Sequence, residues 1–216
     1  MLRFLSRYIL MAIICIVIPV RAGADSGRDG GLDALLLDIQ TKSNQFESLT
    51  CKFTQERRLS LFNQPVLFHG TLAIIRPDHL RWEFIDPVPS VLIFSGNMGL
   101  RCTDNTPPVH FDLASDPIMR MVAEQLWTWL NGNYKKLEDT YTVSLRAPSS
   151  LLITPKDHGV AAFIQSIAIT FSTESRQPEL VEITEPGGDK TIIRFHGFIF
   201  NTQLPAATFT QCSSHE

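Results

Sequence analysis

Six histidines, four cysteines and 22 carboxylates are the side chains in this sequence best suited to chemistry, and their spacing argues against it. His69, His79, His110, His158, His196 and His215 form no H-x-H or H-E-x-x-H pattern, so no metal site is expected. No G-x-S-x-G elbow is present for a nucleophilic serine. Gly188-Asp189-Lys190-Thr191 resembles the tail of a phosphate loop but lacks the leading glycine at the required spacing. No spacing marks two of the carboxylates as an acid–base pair. Cys51, Cys102 and Cys212 are odd in number and contain no C-x-x-C. One pair can join in an exported chain, but the sequence does not choose it; three small buried strand residues are the equally good alternative. A protein without catalysis, metal or cofactor is the expectation.

One constellation stands apart. Arg76 follows Leu72 and Ile74 on the same face of a strand, and the next strand presents Trp82 and Phe84 on one face. If both faces turn inward, an arginine sits at the rim of an apolar hollow. Its donors then need acceptors, and the free carbonyls at a helix C-terminus or in a covering loop would serve. The alternatives are an Arg76 that ends its strand in solvent or pairs with a carboxylate, and strand faces that are ordinary core.

The elements that position these residues are legible from hydrophobic period. Leu32, Leu35, Leu36, Ile39 and Phe46 recur at helical spacing among Asp33, Asp38, Gln40 and Lys42, an amphipathic helix that must lie on something apolar. From Leu49 the period becomes two: strands run from Leu49 to Leu59, Val66 to Ile75, Leu80 to Phe84, Val91 to Phe94 and Met98 to Thr103, separated by Pro, Asn and Gly turns. Asn105 to His110 reads as a Pro-containing loop. Ser115 or Asp116 can cap a helix with Pro117 in its first turn, with Ile118, Met121, Val122, Gln125, Leu126, Trp129 and Leu130 as its stripe and Asn131-Gly132 as its stop. Strands resume at Thr140–Arg146, Leu151–Thr154, Phe163–Phe171, Glu179–Glu185, Thr191–Phe200 and Ala207–Gln211, with a hairpin turn at Glu185-Pro186-Gly187-Gly188-Asp189. About eleven short strands and two or three helices make a curled antiparallel sheet.

The N-terminus sets the compartment. Arg3 and Arg7 precede an apolar run from Tyr8 to Val20, and Ala22-Gly23-Ala24 offers a cleavage site, so residues 1–24 read as a secretory signal peptide and 25–216 as one domain. The run is shorter than the ~20 residues a membrane anchor needs. Ile14 is too bulky for a lipoprotein-type cleavage before Cys15. Loss of Arg3, Arg7 and Arg21 leaves 16 basic against 22 acidic residues, a net charge of −6. That balance excludes nucleic acid and weakens adhesion to anionic membranes.

The ordered set Phe53-Thr54-Gln55, Gly70-Thr71-Leu72, Arg76-Pro77 with Leu80 and Trp82, Pro87, Leu92 to Gly96 with Leu100, Leu151 to Lys156, the Gly187-Gly188-Asp189 hairpin and Asn201 to Phe209 resembles the LolA family of outer-membrane lipoprotein carriers. The resemblance spans nearly all of the chain after residue 24. It implies an unclosed β-barrel of about eleven strands under a helical lid. It implies a periplasmic carrier that receives acylated clients from an inner-membrane ABC-type transporter and delivers them to an outer-membrane acceptor. It also implies that Arg76 holds the lid closed when the carrier is empty. Phe53, Leu72, Ile74, Trp82, Phe84, Leu92, Phe94, Met121 and Leu126 are then the expected acyl-chain-binding residues, and a monomer is expected. Residues 111–137 depart from the usual pattern and resemble a divergent branch associated with lipid-linked or polyene-lipid pathways, which makes another lipid or a glycolipid the alternative client. The short tail 211–216 implies that a C-terminal strand found in some relatives is absent. A stress-sensor module with the same fold and an enzyme are the other classes weighed; the first is expected to need a further domain, the second a converging polar site.

Overall fold

The computed structural model describes residues 30–104, 106–130 and 132–212, and the expected signal peptide and Cys15 lie outside them. Helix α1 spans Gly30–Ser43, and strands β1 to β6 follow at Ser48–Arg58, Val66–Ile75, His79–Asp86, Ser90–Ser95, Met98–Thr103 and Val109–Asp112. Helix α2 covers Pro117–Leu130 and a 3-10 turn Tyr134–Asp139. Then come β7 (Tyr141–Ala147), β8 (Ser150–Pro155), the short helix α3 (His158–Ala161), β9 (Ser166–Phe171), β10 (Pro178–Thr184), β11 (Lys190–Phe200) and a 3-10 turn at Ala206–Phe209.

All eleven strands join one antiparallel sheet in the order β6-β5-β4-β3-β2-β1-β11-β10-β9-β8-β7. The first and last strands pair through β1–β11, and every other pairing joins neighbours in sequence. The free edges are β6 and β7, which are also consecutive in sequence. The segment between them holds α2 and its 3-10 turn, and the two edges do not pair. The half-barrel is therefore open where the chain spends its residues on a helix.

Alternation sorts the strands into two faces. The inner face carries Leu49, Cys51 and Phe53 of β1 opposite Ile74, Leu72 and Gly70 of β2, then Leu80 and Trp82 of β3 opposite Phe94 and Leu92 of β4. Helix α1 buries Leu32, Leu35, Leu36 and Ile39 against the β7–β10 half, with Leu151, Ile153, Ile167 and Ile169. Helix α2 buries Met119, Val122, Ala123 and Leu126 against the β1–β4 half, with Leu49, Leu72, Ile74 and Phe94. Asp116 caps α2: its Oδ1 accepts from the amides of Ile118 (3.1 Å) and Met119 (3.0 Å).

Several expectations change. Ala207–Gln211 is not a strand: it falls in a 3-10 turn whose amides bond locally, Thr208 to Pro205 O and Thr210 to Ala207 O. The eleventh strand is β6, which begins in the last two residues of the expected loop and pairs Val109 to Asp112 with Arg101 to Met98. The first half of the expected Phe163–Phe171 strand is the exit from α3, because Asp157 Oδ1 caps that helix through Gly159 and Val160 N–H and Ile164 N bonds back to Val160 O. Phe46 lies beyond the end of α1 and packs in the other core cluster. The α2 stripe is rotated: Ile118 is 49% exposed and Met119 only 5%. The side chains of Met121, Gln125 and Trp129 are not among those described.

Glycine is required where the faces crowd. A Cβ on Gly70 would sit 2.1 Å from Glu83 O and 2.4 Å from Phe53 Cζ, so the Phe53 ring crosses β2 only because Gly70 has no side chain.

Candidate ligand site beneath the helices

The inner wall is an aromatic cluster flanked by aliphatic residues. The Phe53 ring lies 5.1 Å from Trp82, 5.2 Å from Phe84 and 6.2 Å from Phe195, and Trp82 meets Phe195 edge-on at 6.0 Å. Trp82 and Phe195 border both core clusters and so bridge the two halves of the sheet. Eight of the expected acyl-binding residues (Phe53, Leu72, Ile74, Trp82, Phe84, Leu92, Phe94 and Leu126) belong to these inner clusters; Met121 is the ninth, and its side chain is not described. The wall is covered: Phe53, Leu72, Ile74 and Phe94 are fully buried. What covers it is mostly helix side chains, not more sheet.

Arg76 stands one residue past β2. Its amide bonds to Glu47 O at 2.8 Å, Nη2 donates to Leu130 O at 3.2 Å, and its guanidinium carbon lies 4.5 Å from the centre of the Phe46 ring. Leu130 ends α2, so the acceptor is one of the orphan carbonyls a helix C-terminus leaves. Burial lowers the Arg76 pKa from its ordinary value, and its Nε has no partner. Gly132 follows at φ +68°, and a Cβ there would meet Ser43 Oγ at 2.8 Å and Ile39 Cγ2 at 3.0 Å. The C-terminal ends of α1 and α2 thus meet next to Arg76. Few polar links tie this cover to the sheet elsewhere: Arg176 Nε donates to Asp38 of α1 at 2.6 Å.

Cys51 lies on the inner wall opposite Leu72, and burial pushes its thiol up to about 12. The other two cysteines among the described residues form the Cys102–Cys212 disulfide on the outer face. Arg81 alternates with Leu80 and Trp82 along β3 and so points to the outer face. Yet its side chain is only 3% exposed: Nε donates to Glu83 (2.9 Å), Nη1 to Thr208 O (3.2 Å) and Gln211 O (2.7 Å), and Nη2 to Cys212 O (2.9 Å). It anchors the C-terminal arm, residues 201–212, over an apolar outer patch of Ala73, Ile75, Val91, Ile93 and Leu100. A recess of about 220 Å³ beneath the arm is lined by Ile75, His79, Leu204 and Phe209 among others, and shares no residue with the inner wall. Among the described residues no group of three or more His, Cys, Asp and Glu gathers in a way that would hold a metal ion.

An open half-barrel with an apolar inner wall covered by helices, and an arginine bonded to the end of one of them, is a binding fold of the LolA-like type. The chain belongs to the LolA family: the model of the outer membrane lipoprotein carrier protein LolA matches residues 44–212. Among solved structures it is similar to an uncharacterized conserved protein from Thermus thermophilus, at 10% identity over 83% of this chain and 93% of that one, with a TM-score of 0.52. A LolA superfamily protein from Nitrosomonas europaea gives 9% identity over 83% and 97% of the two chains and a TM-score of 0.43. MucB in the Pseudomonas aeruginosa MucA/MucB complex gives 13% identity over 82% of this chain and 60% of that one, with a TM-score of 0.47. No curated protein matches the sequence. No helix among the described residues is long and apolar enough to cross a membrane.

Proposed function

We propose that this protein is a periplasmic carrier that takes the acyl chains of a lipoprotein between its helices and its inner sheet wall and moves them from the inner to the outer membrane. The observation that carries the reading is the origin of the atoms filling the hollow. Leu32, Leu35, Leu36 and Ile39 come from α1, and Met119, Val122, Ala123 and Leu126 from α2. Lifting the two helices vacates the hollow without breaking any strand pairing. The wall left behind, from Phe53 through Leu72 and Ile74 to Trp82, Phe84, Leu92 and Phe94, is wholly apolar except for the indole N–H. Acyl chains replace helix side chains on that wall, so ligand burial is offset by the loss of cover.

That exchange sets the affinity in a useful range. Each buried CH₂ contributes ~0.8 kcal/mol, so long acyl chains on a permanently open wall would bind too tightly to be passed on. A cover that must be displaced, against the Arg76–Leu130 bond and the Arg76–Phe46 contact, lowers net affinity by its own closing free energy. Arg76 is therefore assigned the role of lid clasp. Residues 25–216 work as the exported carrier, acting as a monomer, with an inner-membrane ABC-type transporter as donor of the client, an outer-membrane receptor as acceptor and no catalytic step.

The test is direct uptake. Purified protein mixed with a fluorescent triacylated lipopeptide should carry it as a soluble complex through size-exclusion chromatography. Failure to solubilise any acylated ligand would remove the carrier reading. Mass spectrometry of lipids that co-purify from the periplasm tests the client: a glycolipid or polyene lipid in place of lipoprotein chains would transfer the same geometry to that client, in line with the divergent segment 111–137.

A further inference from the structure

The unpartnered polar atoms of the interior share one chemical property. Among the described residues, the buried side-chain atoms lacking a hydrogen bond include Arg76 Nε, Trp82 Nε1, Tyr134 Oη, Gln177 Nε2 and Thr191 Oγ1. The buried His79 Nδ1 differs from these in having the Asp78 carboxylate 2.7 Å away. Each of the five can donate, and none is a carbonyl or carboxylate oxygen. A buried donor left unmade is costly, so such atoms persist where something else supplies the acceptor.

Three of them are distributed along the proposed hollow. Arg76 marks the rim, where its Nη2 is already committed to Leu130 O while Nε is free. Tyr134 follows α2 by a few residues, is 1% exposed, and packs edge-on against Phe171 at 5.5 Å in the cluster that contains Phe53. Burial raises its pKa, which keeps the hydroxyl protonated and able to donate. Trp82 lies deeper: moving inward from Arg76, the cross-strand pairs are Ile74–Leu80 and then Leu72–Trp82. Its indole N–H is buried and unpartnered among the apolar side chains of both clusters.

We infer that Trp82 Nε1 and Tyr134 Oη, with Arg76 Nε at the rim, are hydrogen-bond donors for the carbonyl oxygens of acyl esters, so that the hollow selects ester-linked chains over chains lacking a carbonyl. The inference rests on the carrier reading and specifies its ligand. Hydrocarbon alone, or a polyprenyl chain, brings no acceptor and leaves the donors unmade. An acyl ester brings an acceptor and no donor, which is the complement of this wall. Water is the competitor for the same atoms, and an entering carbonyl takes its place.

The experiment compares two synthetic triacyl lipopeptides that differ in one respect: the glyceryl chains are attached as esters in the first and as ethers in the second. The wild-type protein should bind the ester form more tightly, on the order of tenfold, the worth of about one good hydrogen bond to a buried donor. In the double variant Trp82→Phe/Tyr134→Phe the ester-to-ether ratio should fall severalfold, to what the rim donor Arg76 alone contributes. Both substitutions remove an unmade donor and keep an aromatic ring, and thermal unfolding reports whether the fold is kept. A measurement that needs no variant is the infrared carbonyl band of a ¹³C=O-labelled ester lipopeptide. When bound it should shift to lower frequency than the same ester in hexadecane. Equal ester and ether affinities in the wild type, an undiminished preference in the double variant, or an unshifted bound carbonyl band would each overturn the inference while leaving the carrier reading intact. If neither lipopeptide binds, the carrier reading itself falls and the inference with it.

Discussion

Arg76 meets the end of α2 through one hydrogen bond and the Phe46 ring through one face-on contact, and under the proposed lid role those magnitudes set how firmly the cover is shut. A hydrogen bond to a half-buried carbonyl contributes about 1 kcal/mol and a cation–π contact about 0.5–1 kcal/mol, so the clasp biases closure by on the order of tenfold. That is enough to favour the closed state and weak enough for a client to reverse. Arg76→Leu should therefore leave the fold intact but let the cover open about tenfold more often and impair hand-over to an acceptor. Cys51 offers the readout, since it is the buried free thiol of the inner wall. Thiol labelling in the native state should accelerate by that factor in Arg76→Leu and partly recover in Arg76→Lys; unchanged labelling would refute the clasp. The pH dependence carries a second expectation. The closed-state thiol, pushed up to about 12, is protonated at neutral pH and out of reach. Labelling passes through the open state, so its rate should rise with pH along the titration of an ordinary exposed thiol, near ~8.5, and saturate above it. A rate that kept climbing toward the buried value would mean that reagent reaches Cys51 without the cover opening.

At the scale of elements, the proposed lifting of the cover rests on how its helices are held: α1 and α2 meet at their C-terminal ends and touch the sheet mainly through apolar side chains. Gly132 is the joint. Its φ of +68° disfavours any L side chain, and a Cβ would press on Ile39 and Ser43 of α1. Gly132→Ala should cost roughly 1–2 kcal/mol. The loss should fall mainly on the helix junction, raising Cys51 labelling more than it lowers the global unfolding midpoint; equal effects on both would show that cover and sheet unfold together. The strands that carry the inner wall were legible because alternation fixes faces: Leu72, Ile74 and Arg76 share a side by parity alone, as do Trp82 and Phe84. Helical phase was less legible. Both Ile118 and Met119 fit an apolar stripe, and the exposure of the first follows from where the Asp116 cap starts the helix, which no periodicity reveals. Strand β6 was hidden for a different reason. It is a four-residue edge strand whose Val109 and His110 are exposed, and its pairing is held by Phe111 lying over Gly99.

At the scale of the whole molecule, the helices cover the inner face of the sheet and the C-terminal arm covers an apolar patch of the outer one. Val91 to Phe94 is apolar at every position, the mark of a strand buried on both sides. That run announced a covered outer face, so Arg81 beneath it had to find acceptors within the protein. It finds them in the arm, through the carbonyls of Thr208, Gln211 and Cys212, and the Cys102–Cys212 bond fixes the end of the arm to β5. The two covers differ in kind. The helical one is tied by the Arg76–Leu130 bond and the Arg176–Asp38 pair and is the cover proposed to lift; the arm is held by a buried guanidinium and a covalent bond. Removing the bond in Cys102→Ser/Cys212→Ser should release its constraint on the unfolded chain. With a sequence separation of 110 residues, the loop-entropy contribution is at most about 4–5 kcal/mol. Denaturant unfolding should show a lower midpoint by an amount within that bound, and limited proteolysis should begin in residues 201–212. Uptake of lipopeptide should persist, because the arm shares no residue with the inner wall. Were the loss of the disulfide to abolish uptake while the sheet remained folded, the independence of the two covers would be disproved, and the arm would have to be counted as part of the machinery that moves the helices.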